Sequence, residues 1–292
     1  MRPWAAVALT LLACVGCEKK KPEPSGPGRI VALDTEVAGL SGLTRDEHGA
    51  FWAAAERGDS VLRIDPATMG ITQYPVVGLS EGIDLEALTW VDGTRFVLGT
   101  ETQESGRSRD LILDGRIEGQ AFKVTPIGHL DYVHWQMTAR NNHGIEGACQ
   151  VKGVLVFATE LALDDRGRRW APLGVFDPAT QRWTAHRVAL STEDGKLAAL
   201  DCRELEGSIE ALAVERHYGV ARLLRFSVPR GEGQSIEPRV VTDLSKLVAP
   251  MPNFEGLIWQ EDGSVVLLTD NQYRGSARGP SRLYFIPASQ MP

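Results

Sequence analysis

Three glutamates, Glu86, Glu146 and Glu255, occupy the second position of a short motif, apolar–x–small–apolar, that recurs five times along the chain. The copies are Leu40-Ser41-Gly42-Leu43, Leu85-Glu86-Ala87-Leu88, Ile145-Glu146-Gly147-Ala148, Leu197-Ala198-Ala199-Leu200 and Phe254-Glu255-Gly256-Leu257. Arranged around an axis, the second positions form a ring of Ser41, Glu86, Glu146, Ala198 and Glu255. Carboxylates that converge on an axis repel one another unless a proton or a cation separates them. Hard oxygen donors of this kind suit Ca²⁺, which takes about six to eight oxygens, carbonyls and waters included. Ser41, Glu86, Glu146 and Glu255 are therefore the candidate metal ligands, with Ca²⁺ as the expected ion. Asn141, Asn142 and Asn253 lie near ring positions in the sequence and offer neutral oxygens. The structural alternative is that the glutamates accept hydrogen bonds from backbone N–H groups of neighbouring units.

A second acid follows each motif at a nearly constant distance. Glu56, Glu101, Glu160, Glu215 and Asp270 stand 13, 13, 12, 15 and 13 residues beyond the motif's last position. Their polar neighbours include Arg57, Gln103, Arg216-His217 and Asn271-Gln272. These five acids are candidate ligand-binding residues; pairing of each with an adjacent basic residue is the competing role. They are expected at the far end of the strand after the motif, away from the first ring. His143 and His217 stand near anchor acids and are the histidines best placed for proton transfer. Blade packing or a surface position is their alternative. No His-Glu-x-x-His helix and no P-loop occurs, and no nucleophile–base–acid set can be assembled from the sequence.

The elements that must position these residues are strands. Between the two acids of each unit lie aromatic and β-branched runs broken by turn dipeptides such as Asp92-Gly93 and Asp262-Gly263. A third strand follows, as in Ser60 to Ile64, Leu173 to Phe176, Arg222 to Phe226 and Arg282 to Ile286. Two of these end in the same turn, Asp65-Pro66-Ala67-Thr68 and Asp177-Pro178-Ala179-Thr180. A fourth strand closes each unit except the last, which runs out of chain. The missing strand is available at the other end, as Arg29 to Val37, which is how a propeller closes on itself. The expected fold is all-β, a five-bladed β-propeller over residues 29–292; six blades is the alternative. The motif steps are 45, 60, 52 and 57 residues, so no gap leaves room for a sixth unit.

The first 17 residues read as a lipoprotein export signal: Arg2 gives the positive start, and Trp4 to Ala13 an apolar run too short to span a bilayer. Leu11-Leu12-Ala13-Cys14 has lipobox spacing, making Cys14 the expected lipidation site and Cys17 the alternative. Residues 18–28, rich in Pro, Gly and Lys, form a flexible linker. Val15 after Cys14 points to the outer membrane, facing the periplasm or the cell surface, under the sorting rule of enteric bacteria. A net charge of −7 gives no reason to expect a nucleic-acid partner. A monomer is expected, tied to the membrane only through its lipid. Cys149 and Cys202 fall on inner strands of neighbouring units, where a disulfide and two buried small side chains are both open.

The five-fold motif with its downstream acid resembles the exported phytase-like propellers described as having esterase-like activity of phytase, over about residues 29 to 287. The ring is also similar to that of soluble calcium-activated apyrases, which read Ser, Glu, Glu, Ser, Glu. This chain matches at Ser41, Glu86, Glu146 and Glu255, departs at Ala198, and continues through two strands beyond the last Glu-Gly. The resemblance implies Ca²⁺ in the central channel. Three functions follow as expectations: a cell-envelope propeller that binds a small ligand or protein, a Ca²⁺-dependent phosphoester or ester hydrolase, or a non-catalytic scaffold. A fold of this kind does not choose between them.

Overall fold

The computed structural model describes residues 28–291 apart from 57–58, 103–107, 133–143, 166, 218, 232 and 272–278. Strand β1 (Arg29–Ala32) is followed by an antiparallel meander of β2 (Leu40–Arg45), β3 (Phe51–Ala55), β4 (Ser60–Ile64) and β5 (Ile71–Val77). A second meander comprises β6 (Ile83–Asp92), β7 (Arg95–Thr102), β8 (Arg109–Glu118) and β9 (Ala121–Asp131). The third is β10 (Ile145–Val151), β11 (Val154–Thr159), a short side strand β12 (Leu163–Asp165), β13 (Arg168–Asp177) and β14 (Arg182–Ala189). In the fourth, β15 (Lys196–Leu205), β16 (Ser208–His217) and β17 (Val220–Val228) lead through β18 (Ser235–Ile236) to β19 (Arg239–Asp243). The fifth has β20 (Asn253–Trp259), β21 (Val265–Asp270) and β22 (Arg282–Ile286), and β1 supplies its outer strand with Arg29 opposite Phe285. No α-helix occurs among the described residues.

The meanders close a circle. The first strand of each packs on the first strand of the next: β2 on β6, β6 on β10, β10 on β15, β15 on β20, and β20 back on β2. The core lies in five apolar clusters, each shared by two consecutive meanders. Between the first and second, Trp52 meets Phe96 at 4.9 Å between ring centroids and Phe96 meets Phe122 at 5.4 Å. Inner strands are buried on both faces, as β3 is throughout, whereas β5 at the rim is half exposed and tolerates Pro75. Two parallel pairings cross between meanders at the rim: Val76 with Phe122, and Val188 with Ile236.

The closing strand is shorter than its sequence pattern. Pairing ends at Ala32, Leu33 still donates its N–H to Ser281 and is buried, and the Thr35 hydroxyl then accepts the Val37 N–H and turns the chain toward β2. The disulfide left open by the sequence is formed: Cys149 of β10 is bonded to Cys202 of β15 with Cα atoms 5.6 Å apart.

The small third position of each motif has a packing reason. A Cβ on Gly42 would stand 2.7 Å from the Leu88 nitrogen, and one on Gly147 the same distance from Leu200 Cβ. At three junctions, Gly42–Leu88, Gly147–Leu200 and Gly256–Leu43, a meander's fourth motif residue thus seats on the third residue of the meander before it.

Candidate metal centre

The inner hairpins are irregular at one place. In four of the five, the ladder skips one residue, and that residue is Glu86, Glu146, Ala198 or Glu255; in the first meander the slip falls one residue later, at Gly42. A β-bulge leaves its extra residue out of the ladder and re-aims its side chain. Here it turns the second motif position into the ring. Below the ring, the motif's small residues line an axial cavity of about 10 Å³, room for roughly one water.

The second set of acids lies at this same end. An antiparallel partner returns to where its hairpin began, so Asp84 stands opposite Glu101, Leu197 opposite Glu215, and Asn253 opposite Asp270. The Glu56 N–H donates to the Gly39 carbonyl at 2.7 Å, and the Glu160 N–H to Gly144 at 3.1 Å. The expectation that the two rings lie at opposite ends is thus corrected by the register of the ladder.

Carboxylate oxygens of Glu56, Asp84 and Glu86 lie within 4.8 Å of one another, on the side of the mouth formed by the first two meanders. Burial pushes the Glu86 carboxyl well above its ordinary range, and the charges of Glu56, Glu101 and Glu255 push it further. Glu146 is raised well above the usual value by burial, then by Glu86, Glu101 and Glu255, with the Lys196 ammonium opposing. Glu255 is raised by burial against the pull of Arg216. Burial thus favours the protonated form of these three glutamates.

The fourth meander puts cations where its ring residue is Ala198. Lys196 and Arg216 face each other across β15 and β16. Lys196 pairs with Glu160, whose other oxygen is buried without a hydrogen-bond partner among the described residues. Arg216 holds Glu255 through both Nε, at 3.2 Å, and Nη2, and Asn253 Nδ2 donates to the same carboxylate at 2.8 Å. The fourth meander thus supplies cations to the carboxylates of Glu160 and Glu255.

The remaining sequence candidates take varied places. The Ser41 hydroxyl donates to the Glu86 carbonyl at 2.6 Å, tying the first two meanders. Glu101 accepts the Gly144 N–H at 3.1 Å, bridging to the third meander. Glu215 accepts the N–H groups of Ser191 and Thr192 at 3.0 and 3.2 Å, bonding the loop before β15. Asp270 receives Asn253 Nδ2 at 3.2 Å. His217 closes β16 beside Arg216, opposite Val220. His143, with Arg57, Gln103, Asn141 and Asn142, lies outside the described residues, as do Cys14 and Cys17. Asp84 was not among the sequence candidates, although its spacing from Glu86, two residues along one strand, carried the signal. Gly78-Leu79-Ser80-Glu81-Gly82 has the spacing of a serine nucleophile elbow, but it is the loop between two strands, with Ser80 exposed and no helix after it.

The donor set fits a hard divalent cation. All three clustered side chains offer carboxylate oxygen, two of them are buried, and their mutual repulsion is what such an ion relieves. The elevation of Glu86 comes first from its burial and then from the neighbouring charges of Glu56, Glu101 and Glu255.

Solved structures with the same fold include the PQQ-bound aldose sugar dehydrogenase of Streptomyces coelicolor, with 12% identity, a TM-score of 0.52, and coverage of 89% of this chain and 99% of that one. The Malassezia sympodialis allergen Mala s 1 has 12% identity, a TM-score of 0.56, and coverage of 88% and 95%. A Dyadobacter fermentans protein has 13% identity, a TM-score of 0.53, and coverage of 90% and 83%. No curated protein matches the sequence. Residues 35–273 match the family described as phytase-like, esterase-like activity of phytase. That span holds all five motifs and all five downstream acids, and the chain belongs to the phytase-like family.

Proposed function

We propose that this chain is a five-bladed propeller of the cell envelope, tethered through lipid on Cys14, that binds Ca²⁺ at its channel mouth and uses the ion to hold a small anionic ligand. The five meanders, the closed circle of first strands and the strand supplied by β1 support the blade count. The observation that carries the site is the approach of the Glu56, Asp84 and Glu86 carboxylates to within 4.8 Å of one another. Those three side chains would hold the ion, with Glu146 and Glu101 adding charge around it. A bound divalent ion supplies positive charge that attracts and polarises an anionic oxygen. The protein's own part is positional. The bulges aim the carboxylates, Arg216 and Asn253 keep Glu255 to one side, and Lys196 does the same for Glu160.

A second reading is Ca²⁺-dependent hydrolysis of phosphate or carboxylate esters. It is favoured by the placement of Lys196 and Arg216 across the mouth from the acid cluster, a mixed-charge setting that suits an anionic ester.

Thermal unfolding with Ca²⁺ and with EDTA tests the first reading. A melting temperature raised by Ca²⁺, with the rise abolished in Glu86→Gln, supports it; equal temperatures remove it. Turnover of p-nitrophenyl phosphate or p-nitrophenyl acetate that requires Ca²⁺ selects the hydrolase.

A further inference from the structure

A cleft of about 360 Å³ opens between the third and fourth meanders, at the end of the molecule opposite the carboxylates. Its edges are the β10–β11 turn, the β15–β16 turn and the chain leaving β17. Strands β10 and β15 begin at the metal mouth and end here. The walls are apolar: Val151, Val154, Val175, Ile209 and Val228.

Two ties fix the walls. At the inner edge, the Cys149–Cys202 disulfide stands two residues before Val151 and Glu204. At the rim, β18 pairs with β14, and the Gly233 N–H donates to the Ala185 carbonyl at 2.9 Å, so the chain leaving β17 crosses back onto the third meander. The cleft is preformed rather than a gap between sheets free to slide, and its volume falls within the range of about 300–1,000 Å³ typical of small-molecule sites.

Its charge lies on the lip. Lys152 Nζ is paired with Glu204 at 2.5 Å, which leaves that pair neutral. Arg230 Nη2 donates to the Gly207 carbonyl at 2.5 Å, a contact that uses one guanidinium donor and leaves the positive charge uncompensated by it. An apolar body with one anionic head complements this arrangement, because the head can take the remaining guanidinium donors while the body covers the valines.

We propose that the cleft binds a small monocarboxylate amphiphile of the fatty-acid class, its chain between the third and fourth meanders and its carboxylate at Arg230. None of these residues belongs to the acid cluster, so binding is independent of Ca²⁺.

Calorimetric titration of the purified protein with decanoate, below its micelle concentration, tests this. Decan-1-ol serves as the uncharged comparator, and Arg230→Gln and Ile209→Trp as variants. Expected is saturable binding of one decanoate per chain, equal in EDTA and in Ca²⁺. Arg230→Gln is expected to weaken it about tenfold, the worth of one charge-assisted hydrogen bond. Ile209→Trp fills the cleft and is expected to abolish it. Arg230 is exposed, so its variant remains informative if Ile209→Trp fails to fold. Absence of saturable binding, equal affinity for decan-1-ol, or an unchanged affinity in Arg230→Gln overturns the proposal.

Discussion

Raising the pH of the Ca²⁺-free protein is expected to destabilise it, against the usual direction for carboxylates. Glu86 and Glu146 are buried among other acids, and both are held well above the ordinary glutamate value of 4.5. Between 4.5 and the raised values, the folded state keeps protons that the unfolded state has released. Stability is therefore fully present below about pH 4.5 and is lost as pH rises through the folded values. Each such proton is worth on the order of 1 kcal/mol per pH unit, so the two groups together give a slope of about 1–3 kcal/mol per unit. For a chain of this size that corresponds to roughly 2–12 °C in melting temperature per unit. Calorimetry in EDTA from pH 5 to 8 measures it directly. Ca²⁺ should flatten or reverse the slope, because the ionised carboxylates become ligands, and Glu86→Gln should reduce it in EDTA. Asp65, Asp177 and Asp262 do not interfere, since exposed turn hydrogen bonds hold them below 3.8. A melting temperature in EDTA that stays flat or rises across this range refutes the reasoning.

Removing the disulfide with Cys149→Ala/Cys202→Ala is expected to cost about 4 kcal/mol in urea unfolding, from the entropy of a closed loop with a sequence separation of 53; a loss under about 1 kcal/mol would contradict this. Asp201, half-buried and raised to about 6 by desolvation, accepts the N–H groups of Trp259 at 2.7 Å and Cys202 at 2.8 Å, and so ties the fourth meander to the fifth. Asp201→Asn should make the EDTA slope shallower below about pH 6 and leave the Ca²⁺ response intact, as the same melting series shows. Gly256→Val should destabilise by about 2–3 kcal/mol, since even a Cβ there would sit 2.5 Å from Leu43 Cβ; near-neutral unfolding midpoints would show that the ring can dilate.

The circular repeat was legible because each meander reuses one short motif, and packing against the next meander forces a small residue at its third position. Strand β8 was not legible. Asp114-Gly115, a dipeptide type common in turns, lies mid-strand, with Asp114 accepting from Arg116 Nε at 2.9 Å and Gly115 making room for the Phe122 ring. The ring with Glu86, Glu146 and Glu255 was legible as a candidate metal site, but the grouping of Glu56 and Asp84 with Glu86 was not. Their grouping depends on the ladder register, which returns the second acid to the first, and on bulges that carry no distinct sequence mark. Asp84 escaped because it lies outside the repeat, although its two-residue spacing from Glu86 marked it, and its pairing with Glu101 sets it at the mouth. The cleft beside the disulfide could not be read at all, since its walls come from turns of two meanders that no motif connects.

Calorimetric titration of Ca²⁺ into the protein, stripped with EDTA and returned to pH 7.5, is the most direct test of the metal centre. The expected result is one ion per chain, with binding lost in Asp84→Asn and Glu86→Gln while both variants keep the native circular dichroism spectrum. Absence of binding at millimolar Ca²⁺, or binding that survives both substitutions, would contradict the assignment of the channel mouth as a cation site.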